Sequence, residues 1–207
     1  MTYSSNYLRW VTAVAEGIDT EAVERMVDLI LNVRDGGGRL FMIGSGGGAG
    51  HASHAVCDFR KLCGVESYCP TDNVSELTAR INDDGWDTSL ENYLRGSRFS
   101  AKDCVFVFLV GGGNAEEKIS TNLVNAIRFA KERGGKVAGV VGRDGGETLK
   151  AADVCVLVPA VESSAVTPLT ESYQAVVWHL VVSHPRLQLH TAKWESTVHP
   201  DRIREGR

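Results

Sequence analysis

The chain has 207 residues, 43% of them hydrophobic, and a formal net charge of -4. That content can bury one sizeable core, while the interspersed charges form no basic stripe of the kind a nucleic-acid backbone requires. No stretch approaches a membrane-spanning length, and the first residues lack the basic start and apolar run of a signal peptide, so no nucleic acid, no membrane and a cytoplasmic location are expected.

In chain order, residues 3–16 and 20–34 carry apolar side chains at helical spacing (Tyr7, Leu8, Val11 and Val14, then Val23, Met26, Val27 and Ile30), and Gly36 to Gly38 stop the second helix. Short, nearly continuous apolar runs follow at 39–44, 104–110, 136–142 and 153–159, as in strands buried on both faces. "ESYCP" at 66–70 reads as a further strand, placed second. Helical patterns fall between them at about 48–63, 73–81, 86–97, 115–133 and 146–151, with a long apolar helix at 167–183. Alternation of strand and helix predicts a three-layer α/β/α sandwich around a mainly parallel, flavodoxin-like sheet, preceded by two N-terminal helices. One domain over 1–183 and an irregular polar tail over 184–207 are expected.

Cys57, Cys63, Cys69, Cys104 and Cys155 are odd in number and lack a CxxC pair, which predicts reduced core thiols rather than a zinc knuckle or disulfide framework. His51, His184, His190 and His199 show no paired spacing and are assigned no chemistry.

Two glycine loops sit at strand ends, where ligands bind in open α/β sheets. "GSGGGAG" at 44–50 lacks the Gly-Lys-Ser/Thr of a Walker loop, and a dinucleotide fold, with Asp72 as its acidic residue, fits poorly because two helices precede the first strand. "LVGGGNAEEK" at 109–118 offers backbone amides for an anion, but Glu116 and Glu117 in the first turn of a helix starting at 115 would repel a phosphate; a plain tight turn is the alternative.

Taken together, "IGSGGGAGHASHAVCDF", "INDDGWD", "LVGGGN", "VVGRDGGETLKAADVCVLVP" and "ESYQAVVWHLV" resemble the sugar isomerase domain family, and within it the phosphoheptose isomerases, over roughly residues 1–183. The resemblance implies an isomerase interconverting sedoheptulose 7-phosphate and a heptose 7-phosphate aldose, with a homotetrameric assembly in which Tyr7 and Trp10 are candidate contacts. It implies a Zn2+ site on His54, Asp58, Glu171 and His179, with another divalent metal also accommodated. It makes Asp58, His179 and Asp83 candidate catalytic groups, and Ser45, Gly46, Gly47, Gly48, Gly111, Gly112, Gly113 and Asn114 candidate substrate contacts.

The residues support part of this independently. His54 and Asp58 lie one helical turn apart, on one face, and can share an ion. His179 and Glu171 interrupt an apolar helix, where an unpartnered polar group is costly. Their eight-residue gap is about 12 Å of rise, so Glu171 reaches the same ion only by stretching from near the helix start.

Three departures from the family pattern stand out. Ser45 replaces Asn and Gly48 replaces Ser in the first loop, Pro168 replaces an Asp three residues before Glu171, and Val110, Gly112 and Ala115 occupy the places of the serine-rich phosphate loop. Enediol chemistry needs a base and an acid flanking two carbons and a group that holds the enediolate charge. Asp58 is the expected base and His179 the expected acid; if all four ligands bind metal at rest, the base is a dissociating ligand, a metal-bound water or Asp83. The alternative is a non-catalytic relative that senses phosphosugars or binds a protein partner.

Overall fold

The computed structural model describes residues 2–194. The two leading helices are α1 (Tyr3–Gly17) and α2 (Thr20–Asp35). Then follow β1 (Leu40–Gly44), α3 (Gly47–Cys63), β2 (Ser67–Tyr68), α4 (Val74–Asp84), α5 (Ser89–Gly96) and β3 (Cys104–Leu109). The chain continues through α6 (Thr121–Glu132), β4 (Lys136–Val141), α7 (Gly146–Ala151), β5 (Val154–Leu157) and α8 (Val166–Val182). The five strands form one wholly parallel sheet in the order β2-β1-β3-β4-β5.

The unbroken apolar strands are explained by two separate cores. Alternate side chains Leu40, Met42, Phe106, Phe108, Ala138 and Val140 pack with α2, α3 and α8 on one face. Their neighbours Phe41, Ile43, Val105, Val107, Val137 and Val141 pack with α5 and α6 on the other. Period-two alternation thus serves both faces at once, which is how a sheet covered on both sides reads in sequence. Cys63, Cys69 and Cys104 are buried as expected, whereas Cys57 is exposed on α3. Within 184–207, the first part of the presumed tail is docked. Leu187 is fully buried, Arg34 donates to its carbonyl, and the amides of Leu189 and His190 donate to Leu62. Residues 195–207, including His199, lie outside the described residues. Among those described, no helix is long and apolar enough to cross a membrane.

The expected helix over 115–133 starts six residues late. Asn114 and Ile119 form an antiparallel bridge, Asn114 Oδ1 accepts from the Glu117 amide at 3.0 Å, and the residue before α6 is Ser120 in a left-handed conformation (φ 54°). Glu116 and Glu117 therefore lie in a loop rather than in a first helical turn, and the repulsion argued from that turn does not apply. The second strand is trimmed to two residues at the sheet edge.

One buried ion pair joins the amino-terminal ends of β1 and β3. Asp103, 2% exposed at its side chain, accepts from Arg39 Nε and Nη2 at 3.0 and 2.9 Å and from the Ser100 amide and hydroxyl. Burial pushes this carboxyl up, but the Arg39 and Ser100 hydrogen bonds and the Arg39 charge outweigh it and hold it below the usual carboxylate range. A depressed native value means stability that is present above the unfolded-state pKa and is lost as pH falls through the folded one. Asp103→Asn is expected to cost about 2 kcal/mol at neutral pH and to flatten the acid limb of stability. Urea unfolding at pH 7 and at about pH 2 checks this, and an equal loss at both pH values would contradict it.

Candidate active site

The chain leaves β1 in one direction to build β2 and returns on the other side to build β3, so a crevice opens beyond the carboxyl ends of β1 and β3. Its walls come from the loops after β1, β3 and β4 and from the start of α8, and it encloses about 470 Å³. Of the predicted substrate contacts, Ser45, Gly46, Gly111 and Gly113 line it, and Asn114 lines a small recess beside it.

The remaining glycines serve packing. A Cβ on Gly48 would stand 2.2 Å from the Phe108 carbonyl oxygen of β3, and one on Gly44 would stand 2.3 Å from the backbone of Gly48. The start of α3 is thereby pressed onto the sheet. Gly112 (φ 69°) meets Gly145 so closely that a Cβ would lie 1.8 Å from its carbonyl oxygen. The Gly112 carbonyl accepts from the Thr148 amide and hydroxyl at 2.9 and 2.8 Å, and that of Gly113 from the Glu147 amide at 3.0 Å. The second glycine loop thus docks onto the start of α7, which supplies a tight-turn role alongside its place in the crevice wall.

Three of the four predicted metal residues come together. The ligand atoms of His54, Asp58 and His179 all lie within 4.8 Å of one another, with His54 Nε2 4.0 Å from Asp58 Oδ2. His54 and Asp58 project from one face of α3, and His179 meets them from α8; the edge of the His54 ring also contacts buried Trp178. His179 Nδ1 lies 2.8 Å from the Ala175 carbonyl, an acceptor only, so Nδ1 is the donor there and Nε2 is the ring nitrogen open to an ion. Ligand atoms on a tetrahedral zinc are about 3.3 Å apart, so small side-chain rotations would close this trio around an ion. The donor set fits such a metal, with a fourth position for water or substrate.

Glu171 stands outside the trio. It lies two turns before His179, and its carboxylate rests on Gly47, where an added Cβ would come within 2.6 Å of the carboxylate carbon. Because α3 starts at Gly46 without a side-chain cap or an acidic residue in its first turn, Glu171 supplies the negative group that this helix start lacks. Asp83, near the end of α4, is exposed and accepts from Asn82 at 2.8 Å; it joins no cluster with the trio among the described residues.

Three side chains at the site carried no assignment in the sequence. His51 packs against Phe108 at 6.3 Å between ring centroids, beside Glu171. Burial holds its imidazole below the ordinary range, with His54 and His179 acting the same way, against the carboxylate and backbone carbonyl of Glu171. Its signal was the spacing His51, His54, Asp58, which is i, i+3, i+7 on one helical face. Ser120 and Arg143 also line the crevice, the first hidden by the expectation of a helix from 115 and the second marked by its place in the loop after β4.

No protein-family model matches the chain. The lincomycin biosynthesis protein LmbN of Streptomyces lincolnensis is 33% identical over 175 residues, which are 79% of this chain and 62% of that protein, so the chain spans less than two thirds of that relative. Phosphoheptose isomerase of Sulfurimonas denitrificans is 31% identical over 164 residues, covering 77% of this chain and 78% of that one. The solved phosphoheptose isomerase of Neisseria gonorrhoeae superposes with a TM-score of 0.75 at 22% identity, over 86% of this chain and 95% of that one, which establishes the shared fold. A parallel sheet in this order, a crevice at its switch point and this level of identity agree: the chain belongs to the phosphoheptose isomerase family of sugar isomerase domain proteins.

Proposed function

We propose that the chain is an aldose–ketose isomerase that interconverts sedoheptulose 7-phosphate and a heptose 7-phosphate aldose, with a divalent ion, Zn2+ by preference, held on His54, Asp58 and His179. The single observation that carries this reading is the convergence of His54, Asp58 and His179 from α3 and α8, with a separate carboxylate, Glu171 of the same α8, over Gly47 next to the crevice residue Gly46. An ion on the trio would supply positive charge for the oxygens of the enediolate. Asp58, spent on the ion, is then poorly suited to be the base, and the role falls to Glu171. Glu171 takes the proton from the carbon next to the carbonyl and returns it to the neighbouring carbon. His51, beside Glu171 and with its imidazole held below the ordinary range chiefly by burial, relays the proton between the two oxygens.

The same reading includes a homotetramer. Support comes from the site's open face: His179 is flanked on α8 by exposed Val176 and Leu180, and α1 presents exposed Tyr3 and Leu8 with Val14 as its one fully buried residue. Covering these faces with further copies would remove apolar surface from water and shield the trio.

Proton NMR of sedoheptulose 7-phosphate in D2O tests the reaction. With the zinc-loaded protein, deuterium is expected at the carbons next to the carbonyl together with aldose signals, and chelation should slow this at least about 100-fold. A folded, zinc-loaded protein that exchanges no carbon-bound hydrogen would sink the isomerase reading for this sugar. A chain that purifies without metal and gains no exchange on zinc addition would favour the sensing relative.

A further inference from the structure

Arg143 is the unexplained cation of the crevice. It stands two residues past the end of β4, lines the crevice together with Ser120, Ser163 and Thr167, and makes no hydrogen bond or ion pair with any described residue. Acidic neighbours do not account for it. Glu147 is engaged by Lys150 at 3.0 Å and by Arg128 at 3.9 Å, and Asp144, next in sequence, forms no ion pair with it. By contrast, Arg34, Arg39, Arg80, Arg95 and Arg186 all have carboxylate partners within 4.0 Å.

Its backbone is also unusual. Arg143 has φ 54°, a left-handed conformation that a side-chain-bearing residue adopts at a cost, and Ser120 across the crevice has the same value. Arg98 and Lys118, which do not line the crevice, share that value, so what singles Arg143 out is the surrounding structure that fixes its side chain. The surrounding structure here is the tight contact of Gly112 with Gly145 and Gly146, which locks the loop after β4 against the loop after β3. The lock lays the Arg143 side chain over Gly111, its Nη1 3.5 Å and its Cδ 3.6 Å from where a Cβ would be. Ser120, Ser163 and Thr167 line the same space, the Ser163 hydroxyl donating to Glu162 at 3.5 Å.

We infer that Arg143 is a specificity-determining residue that selects a substrate bearing a phosphate at the end remote from the reacting carbons, with the hydroxyls of Ser120, Ser163 and Thr167 completing the anion contacts. A planar guanidinium with no partner and its donors free suits a dianionic phosphate, and several hydroxyl donors complete its oxygens. The orientation of substrate follows. Ser45 and Gly46 lead toward Gly47 and the Glu171 carboxylate over it, so the carbonyl end lies there and the charged end lies at Arg143. The sugar's identity rests on the proposed isomerisation, but the charge selection does not.

The test is calorimetric binding to the zinc-loaded protein of sedoheptulose 7-phosphate, unphosphorylated sedoheptulose and inorganic phosphate, for wild type, Arg143→Gln and Arg143→Lys. Wild type is expected to prefer the phosphorylated sugar by about 100-fold. Arg143→Gln should shrink that preference to under about 10-fold without changing binding of the neutral sugar, and Arg143→Lys should restore part of it, as a point charge without the fork. A preference that survives intact in Arg143→Gln overturns the proposal, and so does a wild type that binds neither the phosphorylated sugar nor phosphate. Arg143-dependent binding without carbon–hydrogen exchange would uphold the phosphate site while sinking the isomerisation.

Discussion

In the zinc-loaded protein, Glu171→Gln will lower deuterium exchange into sedoheptulose 7-phosphate by about 10³-fold while leaving the metal bound. The substitution keeps the side chain's shape and its place over Gly47 but removes the proton acceptor, and Glu171 is no part of the trio that approaches within 4.8 Å. Asp58→Asn should behave differently. Asp58 sits 4.0 Å from His54 with its side chain 20% exposed, in the position of a ligand, so its loss should show first as a lower zinc content, with exchange partly recovered in excess zinc. Metal analysis alongside the NMR rate separates the two. A Glu171→Gln protein that exchanges at the wild-type rate, beside an Asp58→Asn protein that keeps its zinc and loses exchange, would return the base role to Asp58.

That separation shows what the sequence could and could not carry. His54 and Asp58 were legible because a helix fixes the distance between positions four apart, and His179 because a polar group inside an apolar helix demands a reason. Glu171 was legible as chemistry but not as geometry. Whether it joins the ion depends on how α8 crosses the start of α3, a tertiary relation that no spacing along one helix contains. His51 was on the same helical face as His54 and Asp58, yet its burial against Phe108 comes from the strand beneath it. The sheet itself was readable because each strand buries both faces and so appears as a continuous apolar run. Residues 115–120 misled because "AEEK" has good helix formers, while the bridge between Asn114 and Ile119 and the left-handed Ser120 delay the helix to Thr121. The delayed start leaves Ser120 in the crevice wall beside the loop after β3, where Val110, Gly111 and Gly113 offer no side-chain hydroxyl.

Gly112→Ala will destabilise the protein by about 3–4 kcal/mol and impair phosphate selection in whatever fraction folds. Two penalties act at once. The left-handed φ of 69° is strained for any residue with a Cβ, by about 1–2 kcal/mol. The added carbon would also stand 1.8 Å from the Gly145 carbonyl oxygen and 2.3 Å from its carbon, which are backbone atoms with no side-chain freedom to yield. Relief requires the loop after β4 to move away from the loop after β3, breaking the hydrogen bonds from Thr148 and Glu147 into the Gly112 and Gly113 carbonyls and carrying Arg143 with it. Gly50→Ala is the matched control, because a Cβ there meets nothing within 4 Å in the interior of α3, and alanine should gain about 0.5–1 kcal/mol over glycine in a helix. Urea midpoints of the two variants should therefore move in opposite directions. If Gly112→Ala unfolds at the wild-type midpoint, the two loops are not locked together, and the placement of Arg143 over Gly111 loses its physical cause.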